Sequence, residues 1–85
     1  MKFRLSNHAE KELIRRRIPR SMVESVLNNP QQVVEEDNGR HAYQSQVSFS
    51  GRIFLLRIIV ADEVDPAVVV TLYRTSKVTK YWRTK

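Results

Sequence analysis

The stretch Ile53-Phe54-Leu55-Leu56-Arg57-Ile58-Ile59-Val60-Ala61 constrains the fold more than any other part of the chain. Successive side chains of a strand point to opposite faces. A strand with apolar residues at both odd and even positions must therefore be covered on both sides, so the spacing predicts that 52–61 is a central strand. Arg57 is the exception. Burying a lone guanidinium is costly, so this side chain must snorkel, pair with an acid on a neighbouring strand, or open onto a functional face. Alternation sets Arg57 with Ile53, Leu55 and Ile59, away from Phe54, Leu56, Ile58 and Val60.

The elements around this strand follow from local chemistry. Phe3 and Leu5 alternate with Lys2 and Arg4 as a first strand. Ser6 and Asn7 are N-cap types, with Glu10 placed to complete a capping box from Asn7. A helix over 8–16 follows. Pro19 suits the first turn of a second helix, whose stripe is Ile18, Met22, Val23, Val26 and Leu27. Asn28-Asn29-Pro30 ends it. Gln32–Glu35 reads as a short strand, and Glu36-Asp37-Asn38-Gly39 as a turn. Tyr43, Val47 and Phe49 mark a half-buried strand over 40–49. Ser50-Gly51 turns it into the central strand, and a final strand covers 67–74. A short helix or an irregular tail ends the chain, with Trp82 packed on the core. The expectation is a single domain over 1–85 of α+β class, β-α-α-β-β-β, an antiparallel sheet with two helices packed on one face.

At 85 residues the chain has room for one modest core and none for a large internal cavity. Function is expected on a surface groove. The chain has no cysteine, which excludes disulfides and thiolate metal sites. Two histidines and scattered acids do not spell a metal site, and glycines at 39 and 51 alone make no phosphate-cradling loop. No metal and no cofactor is expected. No run reaches the length needed to cross a membrane, and the first residues lack a signal peptide's apolar stretch, so a cytoplasmic address is expected.

The net charge of +6 is unevenly spread. Residues 1–20 carry +5, 21–38 carry −4, 39–70 balance, and 71–85 carry +5. If the fold joins the two basic ends, they form one polyanion-binding patch. Arg74-Thr75-Ser76-Lys77, followed by Lys80, Tyr81 and Trp82, puts a bidentate guanidinium, hydroxyls, ammonium groups and aromatic faces together, a set suited to phosphate and bases. A polar strand end is the plainer reading. Arg40 and Tyr43 are placed to join the same groove, while His41 reads as an ordinary exposed edge. His8 stands at a helix start, which favours neutral imidazole, and is either a general base or a turn cap.

Taken in order, these residues resemble a known pattern. Phe3-x-x-Ser6-x-His8-Ala9, Arg17-Ile18-Pro19, Asn29-Pro30, Gly39-Arg40-x-x-Tyr43-Gln44, Leu56-Arg57, Val70-Thr71-x-Tyr73-Arg74-Thr75-Ser76-Lys77 and Tyr81-Trp82 resemble a family of short bacterial proteins allied to BrnT-like toxins and, more distantly, to the RelE/ParE toxin superfamily. The resemblance implies a βααβββ fold and the toxin of a type II toxin–antitoxin pair. It implies a metal-independent endoribonuclease, an mRNA interferase attacking through the ribose 2′-OH. RNA, in such relatives often on the ribosome, and a cognate small antitoxin are the implied partners, with oligomeric state depending on the antitoxin. Arg57 and Arg74 are then the charge stabilisers, and His8 the candidate base. Tyr81 or Tyr43 stacks on a base or moves a proton. Lys77 and Arg40 hold the backbone, with Thr75 and Lys80 in the same RNA-binding set. Glu12 stands where a basic residue is expected. The ParE branch shares the fold but inhibits gyrase, so a non-catalytic binding protein is the alternative.

Overall fold

The computed structural model describes residues 1–84. Its elements are β1 (Phe3–Leu5), α1 (Asn7–Arg15), α2 (Arg20–Asn28), β2 (Gln32–Glu35), a single helical turn at Asp37–Gly39, β3 (His41–Phe49), β4 (Arg52–Ala61), β5 (Ala67–Thr75) and α3 (Val78–Tyr81). The strands form one five-stranded sheet in the order β1-β5-β4-β3-β2. The α+β class and the central place of β4 agree with the sequence. The expected order and the all-antiparallel sheet do not. β2, read as a short strand, is a full member of the sheet, which makes five strands rather than four, and β1 lies parallel to β5, so the sheet is mixed; α3 is the short helix that the sequence left open beside an irregular tail. A parallel neighbour follows from the path. The chain leaves β1, crosses the sheet as α1 and α2, and builds outward from β2 to β5, which returns beside β1.

Local rules account for the joints. Ser6, rather than Asn7, caps α1. Its Oγ accepts the Ala9 N–H at 3.1 Å and donates to the Val70 carbonyl at 2.9 Å, so one hydroxyl starts the helix and ties it to β5. Pro19 stands at the N-cap of α2. Ser50 and Gly51 both have positive φ, 50° and 77°, as a tight two-residue hairpin turn requires.

Val23, Val26 and Leu27 of α2 and Ala9 of α1 pack with Leu56, Ile58 and Val60 of β4 and Val69 and Leu72 of β5. Val69 and Leu72 are an odd number of residues apart and would face opposite ways on a regular strand. A bulge resolves this: Val60 pairs with Val69, Ile59 pairs with Thr71, and Val70 is the extra residue. Both side chains then enter the helix-side core.

The chain is also polar end to end. Pro19 and Met22 line a groove with Val47 and Ser48, so the α1–α2 turn lies at the β3–β4 hairpin end. That end gathers Arg17, Arg20, Arg52 and Arg74. The opposite end holds Glu35 to Asp37 and the Asp62 to Asp65 turn.

Candidate functional site

The face of the sheet away from α1 and α2 is organised by Arg57. Register sets Gln44, Arg57 and Tyr73 side by side on β3, β4 and β5. Arg57 is 3 % exposed. Its Nε donates to Gln44 Oε1 at 2.8 Å, its Nη1 to the Tyr73 hydroxyl at 2.6 Å, and its Nη2 to Glu36 Oε2 at 3.2 Å. The Tyr81 ring lies over the guanidinium, 4.5 Å from Cζ to the centroid. The acid that balances Arg57 is thus Glu36, just past β2, rather than one on an adjacent strand.

The C-terminal segment is laid across this face by glutamine side chains. Gln44 Nε2 donates to the Tyr81 carbonyl at 3.2 Å and to Gln32 Oε1 at 2.8 Å. Gln32 in turn donates to the Arg83 carbonyl at 2.6 Å and accepts the Arg83 N–H at 3.1 Å. A cleft of about 250 Å³ remains, walled by Glu36, Arg57, Lys80, Tyr81, Trp82 and Arg83 beside Val34. Three cations, a carboxylate and two aromatic rings converge there. The Lys80 ammonium beside it pulls the Tyr81 phenol below its ordinary pKa, with smaller help from Tyr73 and Arg57. Burial pushes Tyr73 up and outweighs the opposing pull of Arg57.

The residues expected from sequence divide between several places. Arg57, Tyr81 and Lys80 share the cleft. Arg74 does not join them. It pairs with Leu56 and so lies on the helix side, its guanidinium 4.3 Å from the Phe49 centroid and 5.3 Å from that of Phe54. The expected Arg57–Arg74 pair is therefore split across the sheet. Tyr43 is also on the helix side, opposite Ile58. His8 Nε2 lies 3.0 Å from Thr71 Oγ1 on the exposed start of α1, with no contact to Arg57. Arg40 lines a separate pocket with Glu35, Glu36, Gly39 and His41. Thr75 faces the same way as Arg57, but its Oγ1 accepts the Lys77 N–H at 3.1 Å, capping the turn into α3. Lys77 is exposed outside the cleft. Trp82, expected in the core, is half-buried in the cleft wall.

The sequence reading missed Gln44, Tyr73, Glu36, Gln32 and Arg83. Glu36 looked like turn chemistry and Arg83 like tail. Only strand register connects them to Arg57. The even spacing of Gln44 within the alternating β3 pattern, on the face opposite Tyr43, was the one available sign.

A second polar group sits on the helix side. His41 Nδ1 is 3.0 Å from Asp62 Oδ1, and the Tyr43 hydroxyl donates to Asp62 Oδ2 at 2.9 Å. Burial pushes Asp62 up, but the hydrogen bonds from Tyr43 and His41 outweigh it and hold its carboxyl below the ordinary value. A carboxylate with a depressed folded pKa contributes stability above its unfolded pKa, about 3.9, and loses it as pH falls through the folded value. Unfolding midpoints measured from neutral to acid pH should therefore fall less steeply in Asp62→Asn than in the parent chain. Parallel curves would show that this carboxylate carries no such linkage.

No helix among the described residues is long and apolar enough to cross a membrane. No curated protein and no solved structure matches the chain. Residues 5–74 match a family model described as Domain of unknown function (DUF4258), a span running from the end of β1 almost to the end of β5. It takes in Arg57, Gln44, Glu36 and Tyr73 and stops short of Lys80, Tyr81 and Arg83. With most of its length inside that match, the chain belongs to the DUF4258 family.

Proposed function

We propose that the protein is a metal-independent endoribonuclease with a RelE/ParE-like fold, the toxin of a type II toxin–antitoxin pair, and that it cuts RNA in the cleft beside Arg57. The observation that carries the reading is the convergence of Arg57, Lys80 and Arg83 with Glu36 and a tyrosine of lowered pKa in one cleft. Such a set matches what cleavage through the ribose 2′-OH needs. The 2′-oxygen bonds to phosphorus as the bond from phosphorus to the 5′-oxygen breaks. In its deprotonated form Tyr81 takes the 2′-hydroxyl proton, and Lys80 returns one to the departing 5′-oxygen. Arg57 and Arg83 stabilise the charge that develops on the phosphorane oxygens. A phosphate reaches Arg57 Nη2 by displacing Glu36, whose side chain is 31 % exposed and free to swing into water. Trp82 offers a face for a base.

The test is induced expression with and without the neighbouring reading frame, followed by mapping of RNA 5′ ends, and incubation of purified chain with RNA in a chelator. Expected are growth arrest relieved by the neighbour, discrete new ends, and 2′,3′-cyclic phosphate products made without metal. Lys80→Ala and Arg83→Ala should each slow cleavage tenfold or more with the unfolding midpoint unchanged. No new ends, or cleavage untouched in both variants, sinks the reading. The full bonding of Arg57 favours a second reading, a ParE-like or other binding protein in which Arg57 only holds the fold. It predicts target binding with intact RNA.

A further inference from the structure

The two edges of the sheet differ. β1 is three residues long and carries Arg4, with Lys2 before it, the short and charged form that resists pairing with other chains. The opposite edge changes hands midway. β2 pairs with β3 only from His41 to Gln44, since Pro30 and Gln31 carry the chain away below Gln32. The remaining Ser45–Phe49 has β4 on one side and, among the described residues, no strand on the other. It contains no charged residue and no proline, and its pairing with β4 runs without a bulge. Charge, proline and a bulge, three of the usual protections of an edge, are missing here.

What occupies the open side is a side chain. Gln31 Oε1 accepts the Gln46 N–H at 2.9 Å, standing where the carbonyl of a neighbouring strand would be. The Gln31 N–H is fixed in turn on Ser45 Oγ at 3.0 Å. Backbone N–H groups alternate along a strand, so that of Ser48 points the same way as that of Gln46, away from β4. Beside this edge, between it and α2, runs a groove of about 530 Å³ whose apolar wall is Pro19, Met22, Val26 and Val47 and whose lining carries no charge. At its hairpin end stand Arg52, opposite Phe49, and Arg17, in the turn before α2. Neither has a carboxylate partner among the described residues.

We infer that Ser45–Phe49 is a docking edge for an extended segment of another protein, which adds to the sheet as a strand beside β3. The segment sets an uncharged apolar side chain into the α2 groove and carries acidic residues where it passes Arg52 and Arg17. Main-chain pairing supplies affinity and the groove supplies selection. Charge chooses the occupant. A second copy of this chain brings another +6 to the interface, whereas an acidic segment is attracted to the basic end. The edge lies away from the Arg57 cleft and stands whether or not that cleft cuts RNA.

The probe is a library of random twelve-residue peptides displayed on phage and selected against the full chain. A synthetic copy of the strongest clone is then titrated in solution. Recovered peptides should alternate apolar and polar residues and carry acids at one end, and amide exchange should slow at Gln46 and Ser48 on binding. Ser48→Pro removes an N–H that points to the open side, a position where proline is tolerated. It should weaken binding tenfold or more with the fold intact by circular dichroism. Ser25→Trp, on the exposed side of α2, fills the groove and should do the same without touching the strand. Recovery of no binding peptide overturns the inference, as does undiminished binding to both variants. Sedimentation showing a dimer that Ser25→Trp disperses would assign the edge to a second copy instead.

Discussion

Arg57→Ala is expected to lower the free energy of unfolding by about 2–4 kcal/mol, the cost of leaving buried polar partners without their donor together with the lost packing of a buried side chain. The truncation leaves Gln44, itself 0 % exposed, with an unpaired carbonyl oxygen and opens a hole under the Tyr81 ring. Glu36 is exposed enough to turn to water, so the loss comes mostly from Gln44, Tyr73 and the detached C-terminal segment. A domain of this length has a total stability of only about 5–10 kcal/mol. Urea unfolding of the two chains measures the difference directly, and a change below about 1 kcal/mol would show that the network is not what holds this face. Arg57→Met fills the hole under the Tyr81 ring but still leaves Gln44 Oε1 and the Tyr73 hydroxyl without their donor, so it should recover only part of the loss. The size of the effect matters for function. Lost RNA cleavage in Arg57→Ala reports catalysis only when measured on the folded fraction.

The second large effect is on chemistry and rests on the proposed cleavage. Tyr81→Phe is expected to slow RNA cleavage by about 10²–10⁴-fold, the usual contribution of a positioned proton acceptor. The phenyl ring keeps its place over Arg57, and the segment stays anchored through the Tyr81 carbonyl on Gln44. Stability should therefore change by less than about 1 kcal/mol. The pH profile separates this role from packing. If Tyr81 acts as the base, the rate rises with pH as its phenol deprotonates. Lys80 is the chief cause of its lowered pKa, so Lys80→Ala should move that rise to higher pH as well as reducing the rate. A Tyr81→Phe chain that cuts RNA at the parental rate removes the tyrosine from the chemistry. An unmoved profile in Lys80→Ala contradicts the electrostatic link between the two side chains.

Much of the architecture was legible because it is local. The hairpin turn and the proline breaks each depend on a few adjacent residues, and Ser50-Gly51 and Pro30 act where their chemistry suggests; the start of α1 was legible to within one residue, with Ser6 in place of Asn7 as the cap. The apolar stripe of α2 was readable from periodicity, and so was the two-sided strand β4. The pairing of β1 with β5 was not, since it joins residues more than sixty positions apart and neither strand encodes its neighbour's direction. The site was half legible for the same reason. Arg57 stands out in any reading of 52–61, but its partners Gln44, Glu36 and Tyr73 lie thirteen to twenty-one residues away. No local pattern ties them to it.

One residue shows where the division falls. The sequence by itself determined that β4 is central, that Arg57 must be compensated, and that the chain's basic charge lies at its two ends. It also supplied a reason to group Arg57 with Arg74. On a regular β5, the register that pairs Val60 with Val69 would set Arg74 opposite Leu55, on the Arg57 face. The bulge at Val70 advances the pairing by one, so Arg74 meets Leu56 and turns to the helix side. Nothing local marks Val70 as a bulge. It forms because both Val69 and Leu72 are drawn into the helix-side core, and only the assembled core can weigh that burial against an unbroken ladder.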